Sequence, residues 1–238
     1  MSERPPVAIL CGGRGTRLRA DAASLPKPLV EIGGRPILWH VIQIYLAQGF
    51  ERFYLLTGYQ AEAVEQFAAA TDWGSAQVAC IETGLDTQTG GRLARAAGAL
   101  GDGTVCVTYA DGVADIDLAG LLAHHRSEGR SATVTVVRPE LQFGVAELAE
   151  DGAVRGFIEK PRSERWVNGG FFCFEAGVLA QIPPDAALER GPLSTLAAER
   201  QLSAFRHQGF WKCMDTYKDA AELNDLWASG EAPWKLWN

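Results

Sequence analysis

The chain has 238 residues, 47% of them apolar and 21% charged, with 26 glycines and 11 prolines, a composition that excludes collagenous, low-complexity and disordered proteins and suits one α/β domain. Lys and Arg number 22 against 29 Asp and Glu, and the net charge of −7 offers no broad attraction for nucleic acid or an anionic membrane surface. Residues 1–36 nevertheless hold six basic groups against three acidic ones, leaving −10 downstream, so a polyanion site is expected near the N-terminus.

In chain order, Val7 to Cys11 reads as a strand that ends in glycines. Ile37, Leu38, Val41, Ile42, Tyr45 and Leu46 repeat at three- and four-residue intervals and predict a helix over 36–48, with Pro36 in its first turn. A strand from Phe53 to Thr57, a helix over 60–70, a strand near Val78, a helix from Gly91 to Gly98 and a strand from Thr104 to Thr108 follow. This alternation is what a parallel sheet with crossover helices produces. After a helix carrying Leu118, Leu121 and Leu122, strand-like stretches succeed one another at 132–137, 143–148, 154–159 and 170–174. A helix from Tyr217 to Trp227 and a tail with Trp234 and Trp237 close the chain. No linker, charge block or internal repeat divides it, so one domain over 1–238 is expected, in two parts of about 1–130 and 131–238.

Met1-Ser-Glu-Arg-Pro-Pro lacks the charged-then-apolar pattern of a secretory signal, and no run approaches the roughly eighteen apolar residues that cross a bilayer. Cys11, Cys80, Cys106, Cys173 and Cys213 are odd in number and show no CxxC or Cys/His ligand spacing. They read as buried thiols of a soluble, cytoplasmic protein.

Immediately after the first strand stands Cys11-Gly-Gly-Arg-Gly-Thr-Arg-Leu18. A glycine-rich turn at the carboxyl end of the first strand of an α/β sheet lets backbone N–H groups converge on a phosphate without interference from Cβ atoms. It is not the dinucleotide fingerprint, which needs Gly where Leu18 stands, nor a Walker A loop, which needs Gly-Lys-Ser/Thr. Arg14 and Arg17 lie within it, and Lys27 follows between Pro26 and Pro28, whose fixed φ angles limit where the ammonium points. Three cations beside converging donors suit a triphosphate, against the plainer reading of a surface turn with solvated arginines.

LCGGRGTRL followed by PKPLVEIGGRPILWH resembles the N-terminal signature of the sugar nucleotidyltransferases, in the version of the glucose-1-phosphate cytidylyltransferases. Thr89–Leu93 (TGGRL), Tyr109–Asp117 (YADGVADID), Phe143–Val145 (FGV), Phe157–Pro161 (FIEKP), Val167–Phe172 (VNGGFF), Gly209–Thr216 (GFWKCMDT) and Ala232–Trp237 (APWKLW) occur in that family's order across nearly the whole chain. The resemblance implies a Rossmann-like, GT-A-like α/β fold with a mixed, mostly parallel sheet flanked by helices and a C-terminal sugar-binding portion. It also implies nucleotidyl transfer to a sugar 1-phosphate.

Asp111 lies just past the apolar strand VCVTYA and should emerge at the sheet's carboxyl edge beside the glycine-rich loop. Asp117 reads equally well as a helix cap. Asp215 stands in an otherwise apolar segment and needs a compensating charge, which Mg²⁺ would provide, since this hard ion is held by one or two carboxylates plus phosphate oxygens and water. The resemblance implies the same pair, Asp111 and Asp215, as Mg²⁺ ligands. A structural Asp paired with an Arg is the alternative for each.

The resemblance further implies that Lys160 binds the phosphate of the sugar 1-phosphate, that Glu159, Asn168 and Gly169 hold sugar hydroxyls, and that Phe143 and Gly144 belong to the same subsite. Leu10, Gly12, Gly13, Gly15, Thr16, Arg17, Lys27, Thr83, Gly91, Ala110 and Asp111 form the nucleotide subsite, with Arg92 beside it and base choice set between Thr83 and Gly91. Arg17, Lys27, Asp111, Lys160 and Asp215 carry the chemistry.

His40, His124, His125 and His207 show no metal spacing and read as structural. Trp234 and Trp237 cannot bury themselves in a tail and should dock on the body or on another subunit, so a homo-oligomer is expected. The chain departs from the family in a shorter stretch between Ala70 and Val78, in Cys11 for the customary Ala, and in the polar stretch after Arg17. Those departures leave fold and chemistry in place but open nucleotide choice, sugar choice and oligomer size, so UTP or dTTP or another sugar phosphate is the first alternative; a non-catalytic sugar-nucleotide-binding module is a second, of a different class.

Overall fold

The computed structural model describes residues 4–15 and 25–237; Thr16 and Arg17, both expected in the nucleotide subsite, lie outside them. The strands are β1 (Val7–Leu10), β2 (Glu31–Ile32), β3 (Arg35–Pro36), β4 (Arg52–Thr57), β5 (Gln77–Glu82), β6 (Thr104–Tyr109), β7 (Gly112–Ala114), β8 (Ala132–Val137), β9 (Val145–Leu148), β10 (Val154–Ile158), β11 (Val167–Glu175), β12 (Leu202–Arg206) and β13 (Trp211–Cys213). The helices are α1 (Ile37–Leu46), α2 (Ala61–Ala70), α3 (Thr89–Leu100), α4 (Leu118–Glu128), α5 (Ala176–Leu179), α6 (Pro192–Ala198) and α7 (Tyr217–Ala228).

Seven strands form one sheet in the order β12-β8-β11-β6-β1-β4-β5, parallel throughout except for β11, which runs antiparallel to both neighbours. The chain steps outward from β1 to β4 and β5, then crosses back to β6 on the other side of β1. The loops after β1 and β6 therefore part from one another, and such a switch point at the carboxyl ends of parallel strands opens a crevice. β1 and β6 are apolar runs because both their faces are covered. Val7, Ile9 and Cys106 face a core with α1, α4 and α7, whereas Ala8, Val105 and Val107 face a second core with α3 and α5.

Pro36 ends β3 and precedes α1 instead of occupying its first turn, because it pairs with Glu31 in the β2–β3 hairpin. α3 begins two residues earlier than its glycines suggest. Gly90 and Gly91 open the helix because the backbone of residues 184–188 crosses it closely: a Cβ on Gly90 would stand 2.8 Å from the Ala186 carbonyl, and one on Gly91 would collide with the Pro184 carbonyl. β11 is longer than the expected 170–174 and carries a bulge between Asn168 and Phe172, where Gly170 (φ +72°) and Phe171 (φ +47°) have left-handed backbone. Bulges of this kind re-aim side chains beside active sites. Trp234 docks on the chain's own body: it is fully buried, stacks on Phe210 and donates Nε1–H to His40 Nδ1 at 3.3 Å.

Candidate active site

The crevice between β1 and β6 holds a cavity of about 360 Å³. Leu10, Gly12, Gly13 and Gly15 from the loop after β1, Lys27, Ala110 and Asp111 after β6, and Asp215 all line it, as do Thr87, Thr89, Arg92 and Tyr109. Gly15 has φ +58°, and a Cβ there would stand 2.8 Å from Lys27 Cβ, so the loop packs directly on the lysine stem. Lys27 starts a one-turn helix (Lys27–Leu29) between its two prolines, which fixes the direction of that stem.

Asp111 and Asp215 meet at Lys27. Its Nζ donates to Asp111 Oδ2 at 2.5 Å and to Asp215 Oδ1 at 2.6 Å. Burial by itself would push the ammonium pKa down, but the Asp111 charge and the two hydrogen bonds outweigh it and hold the group above its ordinary value. The convergence is built by β7 and β13, which pair antiparallel with Cys213 opposite Gly112, and the Met214 N–H donates to the Asp111 carbonyl at 2.8 Å. Asp215 is then fixed from behind by the capping box of α7. Asp219 Oδ2 accepts the backbone N–H groups of Asp215 (3.1 Å) and Thr216 (2.8 Å), while Thr216 Oγ accepts the Asp219 N–H.

Cys213, read from sequence as a plain structural thiol, belongs to this cluster: its Sγ and one oxygen each of Asp111 and Asp215 lie within 4.8 Å of one another. Burial and the neighbouring carboxylates push its thiol pKa up, so it stays protonated and neutral. The hard donors for a cation are the two carboxylates, and an ammonium already stands where both of them point. That donor set fits a divalent ion of the Mg²⁺ type.

Arg92 lines the cavity, as expected of a residue beside the nucleotide subsite, and its guanidinium also has a structural part. Its guanidinium is buried and donates to the carbonyls of Thr57 (2.9 Å), Gly84 (2.8 Å) and Gly12 (2.8 Å) and to Thr83 Oγ (2.7 Å). It ties the glycine-rich loop to the ends of β4 and β5, and a Cβ on Gly12 would run into it. Thr83 and Gly91 sit behind this wall and do not line the cavity. Arg14 turns to the rim, 2.8 Å from Asp86.

A wider groove of about 1630 Å³ continues from Asp215 and is lined by Phe143, Lys160, Trp211 and Lys212 among others. Phe143 and Lys160 flank the same open end of the β9–β10 ribbon, where Val145 pairs with Ile158, and Lys160 has left-handed backbone (φ +46°). Glu159 lies beside Gly144, where a Cβ would be 2.7 Å from its Oε2. Asn168 sits at the β11 bulge and donates Nδ2–H to the Tyr109 hydroxyl at 3.2 Å, and the buried Gly169 accepts Trp211 Nε1–H through its carbonyl at 2.7 Å. Asp215 lines both spaces, so cavity and groove meet at the acid pair. Tyr109, the first residue of the YADGVADID motif but given no role in the sequence reading, and Glu189, which no quoted motif contains, join the two sides at hydrogen-bond distance.

Two relatives in sequence and one solved structure in fold sharpen the picture. A protein named as a probable glucose-1-phosphate cytidylyltransferase from Bacillus subtilis is 39% identical over 96% of this chain and 98% of its own length. The glucose-1-phosphate cytidylyltransferase of Salmonella typhi is 38% identical with the same coverages. In fold, the crystal structure of HddC from Yersinia pseudotuberculosis complexed with GMP-PN superimposes with a TM-score of 0.75 at 20% identity, covering 94% of this chain and all of that one. Residues 7–228 match the nucleotidyl transferase family. The seven-stranded sheet, the crevice at its switch point and these matches establish that the chain is a member of that family, a nucleotidyltransferase.

Proposed function

We propose that the chain transfers the cytidylyl group of CTP to a hexose 1-phosphate, α-D-glucose 1-phosphate first, giving CDP-glucose and pyrophosphate. The observation that carries this reading is the meeting of Asp111 and Asp215 on one cation where a glycine-lined cavity opens into a groove bearing Lys160. Names of relatives at 38–39% identity support the choice of base and sugar.

The nucleophile is a phosphate oxygen already ionised at neutral pH, so no general base and no covalent enzyme intermediate are needed. That oxygen forms a bond to the α-phosphorus of the triphosphate while the bond from this phosphorus to the bridging oxygen breaks, and pyrophosphate leaves with the electron pair. The protein's task is to bring two anions together and to neutralise the charge that moves to the leaving group. The N–H groups of Gly12, Gly13 and Gly15, with Thr16 and Arg17, bind the triphosphate, Lys27 serves the transferring phosphoryl group, and Lys160 orients the nucleophile. Glu159, Asn168 and Gly169, flanked by Phe143 and Gly144, hold the sugar. Mg²⁺ held by Asp111 and Asp215 supplies charge neutralisation at the phosphates.

Among the described residues no helix is long and apolar enough to cross a membrane, and the five cysteines are all free, which supports a cytoplasmic place for this reaction. Homo-oligomerisation remains part of the reading on a different basis from the tryptophan tail. Leu148, Val154 and Phe157 of the β9–β10 ribbon are exposed apolar side chains, and an isolated two-stranded ribbon is only marginally stable by itself. Light scattering should give a mass above 25.7 kDa, lowered by Leu148→Ser with Val154→Ser; a wild-type monomer removes oligomerisation from the reading.

Pyrophosphate release over four nucleoside triphosphates and several sugar 1-phosphates, with Mg²⁺ and with Asp111→Asn as control, tests the activity. CTP with glucose 1-phosphate should be the best pair by about tenfold, the discrimination a few well-made contacts provide. A better rate with UTP or dTTP overturns the base assignment, and no turnover with any pair points to a binding module.

A further inference from the structure

Glu189 precedes α6 and reaches across to the start of α3. Its Oε2 accepts the Thr89 hydroxyl proton at 2.8 Å, and that same hydroxyl oxygen accepts the Leu188 N–H at 2.9 Å. The close crossing of residues 184–188 over Gly90 and Gly91 holds the segment in place, with the Gly91 N–H on the Ala186 carbonyl at 3.0 Å. Glu189 Oε1 accepts the Tyr109 hydroxyl proton at 2.5 Å. Tyr109 stands two residues before Asp111, lines the cavity, and packs its ring edge-on against Phe172. At neutral pH a phenol keeps its single proton on the oxygen.

The direction of these bonds propagates. A tyrosine hydroxyl has one proton to give, and Glu189, an acceptor only, takes it. The Tyr109 oxygen can then only accept from Asn168, which therefore presents its Nδ2–H group at 3.2 Å, while Asn168 Oδ1 accepts the Gly170 N–H at 2.9 Å inside the bulge. One N–H and one oxygen lone pair of the amide remain for a ligand.

We propose that Glu189 is a positioning residue that, through Tyr109, ties down the nitrogen end of the Asn168 amide, as the Gly170 N–H ties down its oxygen end, so that the amide presents a donor and an acceptor side by side to two neighbouring hydroxyls of the sugar 1-phosphate. The inference rests on the reading of Asn168 as a sugar contact. Without the carboxylate the Tyr109 proton can turn toward Asn168 Nδ2–H and break that bond, leaving the amide held at its oxygen end only. The effect falls on the sugar phosphate and not on the nucleotide, although Glu189 is anchored on the nucleotide side of the crevice.

The test is steady-state kinetics with each substrate varied at saturation of the other, for wild type, Glu189→Ala, Glu189→Gln, Tyr109→Phe, Asn168→Ala and the Glu189→Ala, Asn168→Ala double variant. Glu189→Ala and Tyr109→Phe should raise KM for the sugar 1-phosphate about three- to tenfold, the weight of one oriented hydrogen bond, with KM for the nucleotide within about twofold. Glu189→Gln keeps an oxygen for Tyr109 and should return KM to near the wild-type value. In the Asn168→Ala background, Glu189→Ala should add nothing, because the residue it acts through is gone. Equal rises in both KM values, additive effects in the double variant, or a silent Glu189→Ala overturn the positioning role in an active enzyme. A wild type without turnover instead overturns the functional reading and this inference with it.

Discussion

Replacing Lys27 by Met keeps the length of the side chain and removes a cation that both acids share. In the free protein Nζ lies 2.5 and 2.6 Å from the two carboxylates, at the point a divalent ion would have to take. The ammonium would therefore compete with such an ion for the same two oxygens, Asp111 Oδ2 and Asp215 Oδ1. Two unit charges about 4 Å apart interact by about 4 kcal/mol at an effective dielectric constant of 20. The Asp215 side chain is 41% exposed against 23% for Asp111, so solvent screens its share more strongly. Keeping a third to a half of that energy, Lys27→Met should bind Mn²⁺ in the absence of nucleotide more tightly by roughly ten- to thirtyfold. Turnover should move the opposite way, falling on the order of a hundred- to a thousandfold, because the charge that serves the transferring phosphoryl group is lost. Free Mn²⁺ measured by electron paramagnetic resonance during titration gives the affinity, and thermal midpoints in a chelator show whether the variant is folded. Unchanged or weaker Mn²⁺ binding by folded Lys27→Met would falsify the claim that ammonium and ion share one site.

Arg92→Lys keeps the charge but cannot reach the carbonyls of Gly12, Thr57 and Gly84 from one ammonium, so the loop should loosen and the protein lose about 2–4 kcal/mol by urea titration; a loss under about 0.5 kcal/mol, within the range of an ordinary surface change, contradicts the clamp. Asp219→Ala removes the acceptor that holds the Asp215 and Thr216 N–H groups, and the expected cost is about 1–2 kcal/mol with weaker Mn²⁺ binding; intact ion affinity would show that Asp215 needs no such support. His40 is buried, and burial pushes its pKa down to about 4, with Ile32 accepting Nε2–H at 2.8 Å and Nδ1 accepting from Trp234. The unfolded chain therefore binds a proton between pH 6.5 and 4 that the folded protein refuses, so stability should fall as pH drops through that window, by up to about 3 kcal/mol. His40→Gln should flatten the slope of stability against pH in that window, and an unaltered slope places the titration elsewhere.

Most of the sheet could be read directly from the chain. β1, β4, β6 and β8 are apolar runs long enough to be seen, and α1 and α7 show their buried faces at helical spacing. The elements that escaped are the short ones. β7 and β13 have three residues each, too few to show a period, and β12 lies at an edge, half covered, so its pattern is weak. Glycine misled in one place, since Gly90 and Gly91 open α3 for the sake of a close backbone crossing, which no local pattern reveals.

The sequence alone determined the class of fold, the glycine-rich loop at the end of β1, the proline-held Lys27 and the two acids, because each is a matter of residue type and near-neighbour spacing. Their encounter was decided only by tertiary structure. Asp111 and Asp215 meet through the register of two three-residue strands and a capping box, and Arg92 faces carbonyls because β4, β5 and the loop converge on it. The same holds for the line from Glu189 through Tyr109 to Asn168, whose members are separated by 80 and 59 residues. Local propensity acts over a few residues, whereas the placing of such distant groups within hydrogen-bond distance is fixed by which strands pair and in what register, a property of the packed chain as a whole.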